Sequence, residues 1–367
     1  MKKLKKFFMI LLMFIVLCVF TGCGALEVFG KTELPQIKTQ EELCKFVQNK
    51  LKSGEEEIKA YVSTDITEEE FIDLNQYIDG YYGKINEYSY RNSLKKGYYS
   101  VVMYAEVSDN YYAERIVLDK MQKSKASERA AKLADKAEQI LEEIIQDDMT
   151  DYEKELAIHN YIVSNGEYGY IEGKEKEQSY RAYGILVKKK GVCQAYAEAI
   201  QLLLTLSGIK SKIIVGKGKE NGENHAWNLV KLDDSWYQLD TTWDDPAPDR
   251  EGRILYTYFN LTDDQMAKDH EWNKSGYPKA NGEKYNYYKK EGICFKTQTE
   301  AKNYMKDLVS YEHATVIDFM VEDYDEDKYG KEWGSFLWDI GNIKSISYEI
   351  YGKEEKVAFR FYVEYED

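Results

Sequence analysis

From Ser127 to Ile145 apolar residues return every three or four positions, the spacing of an amphipathic helix. Thr150-Asp151-Tyr152-Glu153 then opens a second helix with the reciprocal caps of a capping box. Further on the period changes to two. Ser211 to Val215, Ala226 to Lys231 and Ser235 to Leu239 read as strands, and Leu232-Asp233-Asp234 is the hairpin turn between the last two, so an antiparallel meander is expected. Between the helices and the strands, Gly191-Val192-Cys193 precedes the apolar positions Ala197, Ile200, Leu203 and Leu204, which puts a cysteine at a helix start. His225 and Asp240 fall at opposite ends of consecutive antiparallel strands, hence at one edge of the sheet.

The flanks mix the two periods. From about Thr39 to Lys120 a helical stretch (Leu43, Phe46, Val47, Leu51) precedes a strand (Ile58 to Val62), a second helix (Phe71, Leu74, Ile78) and strands near Tyr88 and from Tyr98 to Val107, the pattern of a small α+β module. The C-terminal stretch repeats that order at an offset of 258. Phe46 answers to Tyr304, Tyr61 to Phe319, Tyr90 to Tyr348, and Val101, Met103 and Ala105 to Phe359, Phe361 and Val363; one slip pairs Phe71 with Trp333 and Ile78 with Ile340. The expected organisation is a leader at 1–22, a linker at 23–38, an N-terminal module at 39–122, a central domain at 123–285, and a C-terminal module at 286–367 that is a candidate repeat of the first.

Cysteine, histidine and aspartate on three adjacent elements make a constellation for nucleophilic catalysis. A helix N-terminus and a neighbouring imidazolium both favour the thiolate, the attacking form of a cysteine. A carboxylate bonded to the far ring nitrogen fixes the tautomer and orientation of the histidine. Cys193, His225 and Asp240 are accordingly the candidate nucleophile, base and orienter of acyl transfer. A cysteine in an apolar helix is otherwise plain core, and the fold can also serve as a non-catalytic surface binding or assembly module. The presence of all three partners favours the enzyme.

The Gly-Val-Cys helix start, the strand His225-Ala226-Trp227 and the strand end Leu239-Asp240-Thr241-Thr242-Trp243 resemble the transglutaminase-like domains of the papain-like cysteine enzymes. The resemblance covers residues 126–272, with Glu153 to Tyr161 similar to the helix before the nucleophile and Tyr258 to Thr262 similar to the exit strand. It implies an α+β fold in which a helix carrying Cys193 packs on an antiparallel sheet carrying His225 and Asp240, here flanked by the two small α+β modules. It also implies a transglutaminase-like cysteine protease or acyltransferase that needs no cofactor. All six Trp residues lie after Cys193, so the upstream Trp that helps bind the oxyanion in animal transglutaminases has no counterpart. The N–H of Cys193 is then one donor, with Tyr180, Tyr183, Gln194 and Trp227 as candidates for oxyanion or substrate contacts. Ala195 stands where many relatives carry Gly, and its methyl is expected to narrow the site.

Lys2, Lys3, Lys5 and Lys6 ahead of the apolar run Phe7 to Phe20 read as an export leader. Phe20-Thr21-Gly22-Cys23 resembles the lipobox of bacterial lipoproteins, which implies lipidation of Cys23 and a lipid-anchored, extracytoplasmic protein; a plain signal peptide cut nearby or a short uncut anchor are the alternatives. A peptide, protein or cell wall peptide is the substrate class that suits such a tether. The net charge of −15 argues against nucleic acid as a partner. Cys44 and Cys294 either pair or serve as small buried hydrophobes. No metal site is expected, because His159, His225, His270 and His313 show no ligand spacing and Asp323 to Asp327 lacks the glycine and terminal Glu of a calcium loop. His159, without a visible partner on its helix, reads as structural, and Lys188-Lys189-Lys190 as a solvated loop.

Overall fold

The structure, a computed structural model, describes residues 33–366 except 73, 77, 79, 247, 249–251, 323–332, 339–341 and 354–355. The leader, Cys23, the acidic run at 323–327 and Ile340 lie outside the described residues.

The chain opens with β1 (Gln36–Ile37), α1 (Gln40–Lys52), β2 (Glu57–Ser63), α2 (Glu68–Ile72), β3 (Gly83–Asn92) and β4 (Tyr98–Val107), in a sheet of order β1-β2-β4-β3. Leu43, Val47 and Leu51 of α1 pack on Ile58, Ala60, Val62, Val101 and Met103 of that sheet, which is the apolar stripe seen in the sequence. Five helices follow: α3 (Asp109–Val117), α4 (Glu128–Ile144), α5 (Asp151–Asn165), α6 (Ala182–Lys188) and α7 (Cys193–Leu206). Ser127 caps α4 by accepting from the Ala130 N–H, and both halves of the Thr150–Glu153 box are made at α5. The strands β5 (Lys210–Gly218), β6 (Asn224–Leu232) and β7 (Ser235–Leu239) form the expected meander, and Asp233 turns the hairpin at φ 49°. After α8 (Asp263–Met266), a three-residue strand β8 (His270–Trp272) adds to the far side of β5, giving the order β7-β6-β5-β8.

α7 is apolar nearly all round, and a helix of that kind has to be buried. Ile200, Leu202, Leu203 and Leu204 are sealed in the core with Ile213, Val230 and Leu239 of the sheet, each stabilising the fold by roughly 1.5–3 kcal/mol. The helix that carries Cys193 is thereby fixed against the strands that carry the other two candidates.

The last unit contains α9 (Tyr287–Lys290), β9 (Cys294–Phe295), α10 (Gln298–Asp307), β10 (Val316–Glu322), α11 (Trp333–Trp338), β11 (Ile343–Lys353) and β12 (Lys356–Tyr365), with sheet order β9-β10-β12-β11. Strand order and the parallel first pair match those of the N-terminal sheet. The registers correct two pairings expected from sequence. With Val101 matched to Phe359, Tyr90 answers to Ile350 and Tyr348 to Tyr88. Ala60 lies opposite Val101 and Phe319 opposite Phe359, so Phe319 answers to Ala60, and Tyr61 faces the other side. A one-residue slip moves a strand's side chains to the opposite face. The C-terminal unit is clamped onto the centre by Arg360, which donates to the carbonyls of Ile254 and Gly252 while pairing with Asp318 at 2.9 Å.

Candidate active site

Cys193 is delivered by a turn that tolerates no side chain at its glycine. A Cβ on Gly191 would sit 2.6 Å from the Ala195 Cβ and 3.1 Å from Ile185. Val192 is extended (φ −104°, ψ −179°) and its carbonyl accepts from Ala195 and Tyr196, so α7 begins abruptly with the thiol in its first turn. The loop after α5 runs alongside, through Gly169 N–H to Gly191 O and Gly191 N–H to Glu167 O, which brings Tyr168 next to Cys193.

His225 opens β6 and Asp240 directly follows β7. The register Asn228 opposite Leu239 sets them at one edge, and His225 Nε2 meets Asp240 Oδ2 at 2.6 Å. Cys193 lies near enough to the same imidazole, whose remaining ring nitrogen is Nδ1, to help raise its proton affinity. Burial disfavours charge on His225, but the Asp240 carboxylate and the Cys193 contact outweigh it and push the imidazole up to about 10. Asp240 is wholly buried, yet its carboxyl is held well below the usual range because His225 and His270 both donate to it. The N–H groups of Thr242 and Trp243 take its other oxygen, at 3.0 and 3.2 Å.

Of the other candidates, Trp227 is buried, lies 5.7 Å from the His225 ring and donates through Nε1 to Gln238 Oε1 at 2.7 Å, so it backs that imidazole. Tyr180 is half exposed and packs against Tyr170. Tyr183 is buried in the core and borders a separate cavity with Glu106, Asp109, Arg129 and Arg181, away from the cleft-lining residues. The side-chain amide of Gln194 donates to Glu198 one turn along. The Ala195 methyl is buried beside Gly191.

The cleft holds about 510 Å³ and is bordered by Tyr168, Glu223, His225, Trp243, Tyr258 and Asp269, with Ile350 and Tyr351 reaching in from β11. Burial, then the charge of Cys193, pushes Tyr168 up to about 12, so it is a hydrogen-bond donor at neutral pH. Sequence reasoning passed over Tyr168, which sits in an irregular loop, and His270, which sits on a very short strand. His159 does have a partner, Asp244, at 3.2 Å in the core, and the ring is structural. Cys44, Cys193 and Cys294 are not in disulfides, so Cys44 and Cys294 do not pair. The ligand atoms of His225, Asp240 and His270 lie within 4.8 Å of one another, but they are already bonded to each other, which is the geometry of a proton-sharing group.

Residues 138–241 match the family model described as Transglutaminase-like superfamily. The centre of the chain is therefore a transglutaminase-like domain, built as an α+β fold with a helix packed on an antiparallel sheet. Among curated proteins the chain is similar to the kyphoscoliosis peptidase of Homo sapiens, 28% identical over 117 residues that make up 29% of this chain and 18% of the relative, and to that of Mus musculus, 27% identical over 116 residues. The chain thus spans less than a fifth of the length of these relatives. Solved structures with partial likeness include a TGase (14% identity, 54% of each chain, TM-score 0.30) and Legionella pneumophila LapG (9% identity, 36% of this chain and 72% of that one, TM-score 0.23).

Proposed function

We propose that the chain is a cysteine enzyme of acyl transfer acting on peptide or protein amides, as a peptidase or a transglutaminase-like transferase. The observation that carries this reading is the Cys193–His225–Asp240 group, of which His225 borders the cleft. In the reaction the Cys193 sulfur attacks the amide carbon, and the oxyanion meets the N-terminal end of α7. The His225 imidazolium gives its proton to the departing amine, leaving a thioester. Water or a second amine then attacks that thioester, His225 takes the proton, and the C–S bond breaks to release the thiolate beside the imidazolium with a carboxylic acid or a new amide. The human relative's designation as a peptidase makes hydrolysis the first reaction to test.

The decisive measurement is alkylation by iodoacetamide at pH 7, read by mass spectrometry. Cys193 is expected to react at least about tenfold faster than Cys44 or Cys294, since its partner ring is an imidazolium whereas burial pushes the Cys44 thiol up to about 11. Equal rates at the three cysteines would leave a fold without a nucleophile, and the binding-module reading would take its place.

We further infer an extracytoplasmic location with a lipid on Cys23, on the strength of the basic start, the apolar run and the Thr21-Gly22-Cys23 stretch. The full chain is then expected to enter the detergent phase on Triton X-114 partition, and Cys23→Ser to abolish that lipid-dependent partition. Unchanged partition of the Cys23→Ser protein would point to an uncut apolar anchor.

A further inference from the structure

β8 pairs with β5 so that His270 lies opposite Gly218 and Trp272 opposite Gly216. Gly216 is obligatory here, because a Cβ would meet Glu271 O at 2.3 Å and the Trp227 ring at 2.6 Å. The His270 side chain has no exposed surface and is enclosed by the rings of Trp243 at 4.1 Å, Trp227 at 4.9 Å and His225 at 5.5 Å. Within that enclosure both of its nitrogens face carboxylates: Nε2 reaches Asp240 Oδ2 at 3.0 Å and Nδ1 reaches Asp269 Oδ1 at 2.6 Å.

A neutral imidazole has one N–H and one lone pair. With a carboxylate at each nitrogen, the neutral ring would set its lone pair against a carboxylate, with no exposed surface of its own to reach solvent, whereas the imidazolium satisfies both. Burial works against that charge, and the hydrogen bonds of Asp240 and Asp269 outweigh it, so the proton is held more tightly than by an ordinary histidine. The neighbouring charged groups are consistent with this. Tyr258 donates to the second oxygen of Asp269 at 2.7 Å, and Lys219 is spent on the Ala267 carbonyl. Glu271 follows His270 on β8, and Asp244 lies one turn beyond Asp240.

We propose that His270 is a positioning residue for the Cys193–His225–Asp240 group: held as an imidazolium between Asp240 and Asp269, it locks the shared carboxylate and offsets part of the negative charge that His225 faces. This rests on the reading of those three residues as the catalytic group. The consequence is chemical. His225 must release a proton to the leaving amine and later take one from the attacking water or amine, and an uncompensated Asp240 beside it would hold the proton too firmly for the first step. His270 tempers that hold while keeping the hydrogen bond that aims the ring.

The test is a titration of the full chain labelled with ¹⁵N-histidine, followed by NMR, in wild type, His270→Gln and Asp269→Asn. In wild type, His270 is expected to carry two ring protons at pH 8. His270→Gln keeps a donor for Asp240 but not the charge, so the midpoint at which His225 loses its proton should rise by about one pH unit. Asp269→Asn should free His270 to become neutral near pH 8 and raise the His225 midpoint in the same direction. It provides the same readout if His270→Gln does not fold. A single-proton His270 at pH 8 in wild type, or an unmoved His225 midpoint in a folded variant, overturns the proposal. Iodoacetamide separates the two readings: a shifted His225 midpoint with an unreactive Cys193 preserves the electrostatic link and removes the catalytic one, and a reactive Cys193 with an unmoved midpoint does the reverse.

Discussion

Cys193→Ala and His225→Ala are each expected to lower turnover on any amide the wild type cleaves by on the order of 10⁴-fold or more, and the double variant to be no slower than either single one. In the proposed reaction sulfur and imidazole act as one unit. Without the sulfur no thioester forms, and without the ring the amine leaves unprotonated. Because the imidazole is raised to about 10, the proton needed by the leaving group is present throughout the neutral range, and activity should fall only as the pH approaches that value. Asp240→Asn should be nearly as damaging, by about 10⁴-fold, because one carboxylate oxygen serves both His225 and His270 and an amide brings no charge to either. Additive losses in the double variant, or wild-type rates for Asp240→Asn, would contradict the triad; steady-state rates of purified, folded variants decide it.

That Cys193, His225 and Asp240 come together was readable because each sits at a punctuated position. Gly191 ends a loop and begins a helix, and the two-residue alternation of β6 and β7 sends His225 and Asp240 to one edge. His270 carries no such mark. Its strand is three residues long, too short for a period to show, and it reaches the site only by pairing with β5 on the side away from β6. Tyr168 is placed by hydrogen bonds between two loops, which leave no pattern in composition. In the flanking sheets the apolar rhythm of β4 and β12 fixed their correspondence. At β2 and β10 a one-residue insertion hid the true pairing of Ala60 with Phe319, since Tyr61 is as good a strand residue as either. Glu198 looks like the polar side of the nucleophile helix, and only the docking of the N-terminal elements turns that side into interior.

Arg181→Ala should destabilise the fold by roughly 3 kcal/mol at pH 8, the lower end of what removing one partner of a buried ion pair costs. Glu198 is wholly buried on α7, five residues after Cys193, and Arg181 meets its Oε1 at 3.0 Å while also donating to the Gly80 carbonyl at 3.0 Å. Asn110 and the Ala182 N–H serve the other oxygen, at 2.8 and 3.1 Å, which is why the lower end applies. Burial already raises the proton affinity of Glu198, and Arg181 is the largest influence holding it down. Without the guanidinium the folded protein binds a proton at Glu198 that the unfolded chain releases near the ordinary carboxylate value of about 4.3. Above that value the folded state holds more protons than the unfolded one, so the variant loses stability as pH rises. Urea unfolding should therefore show a smaller deficit at pH 5 than at pH 8, and Arg181→Ala combined with Glu198→Gln should recover part of the loss by removing the stranded charge. A deficit below about 1 kcal/mol at both pH values would mean that Asn110, Gln194 and Ala182 suffice to hold the carboxylate. The same carboxylate joins residues on both sides of the nucleophile helix, Asn110 from α3 and Arg181 from the start of α6. Loosening it releases the N-terminal module from α7 at the Gly80 and Asn110 contacts, so the stability loss should come with slower alkylation of Cys193.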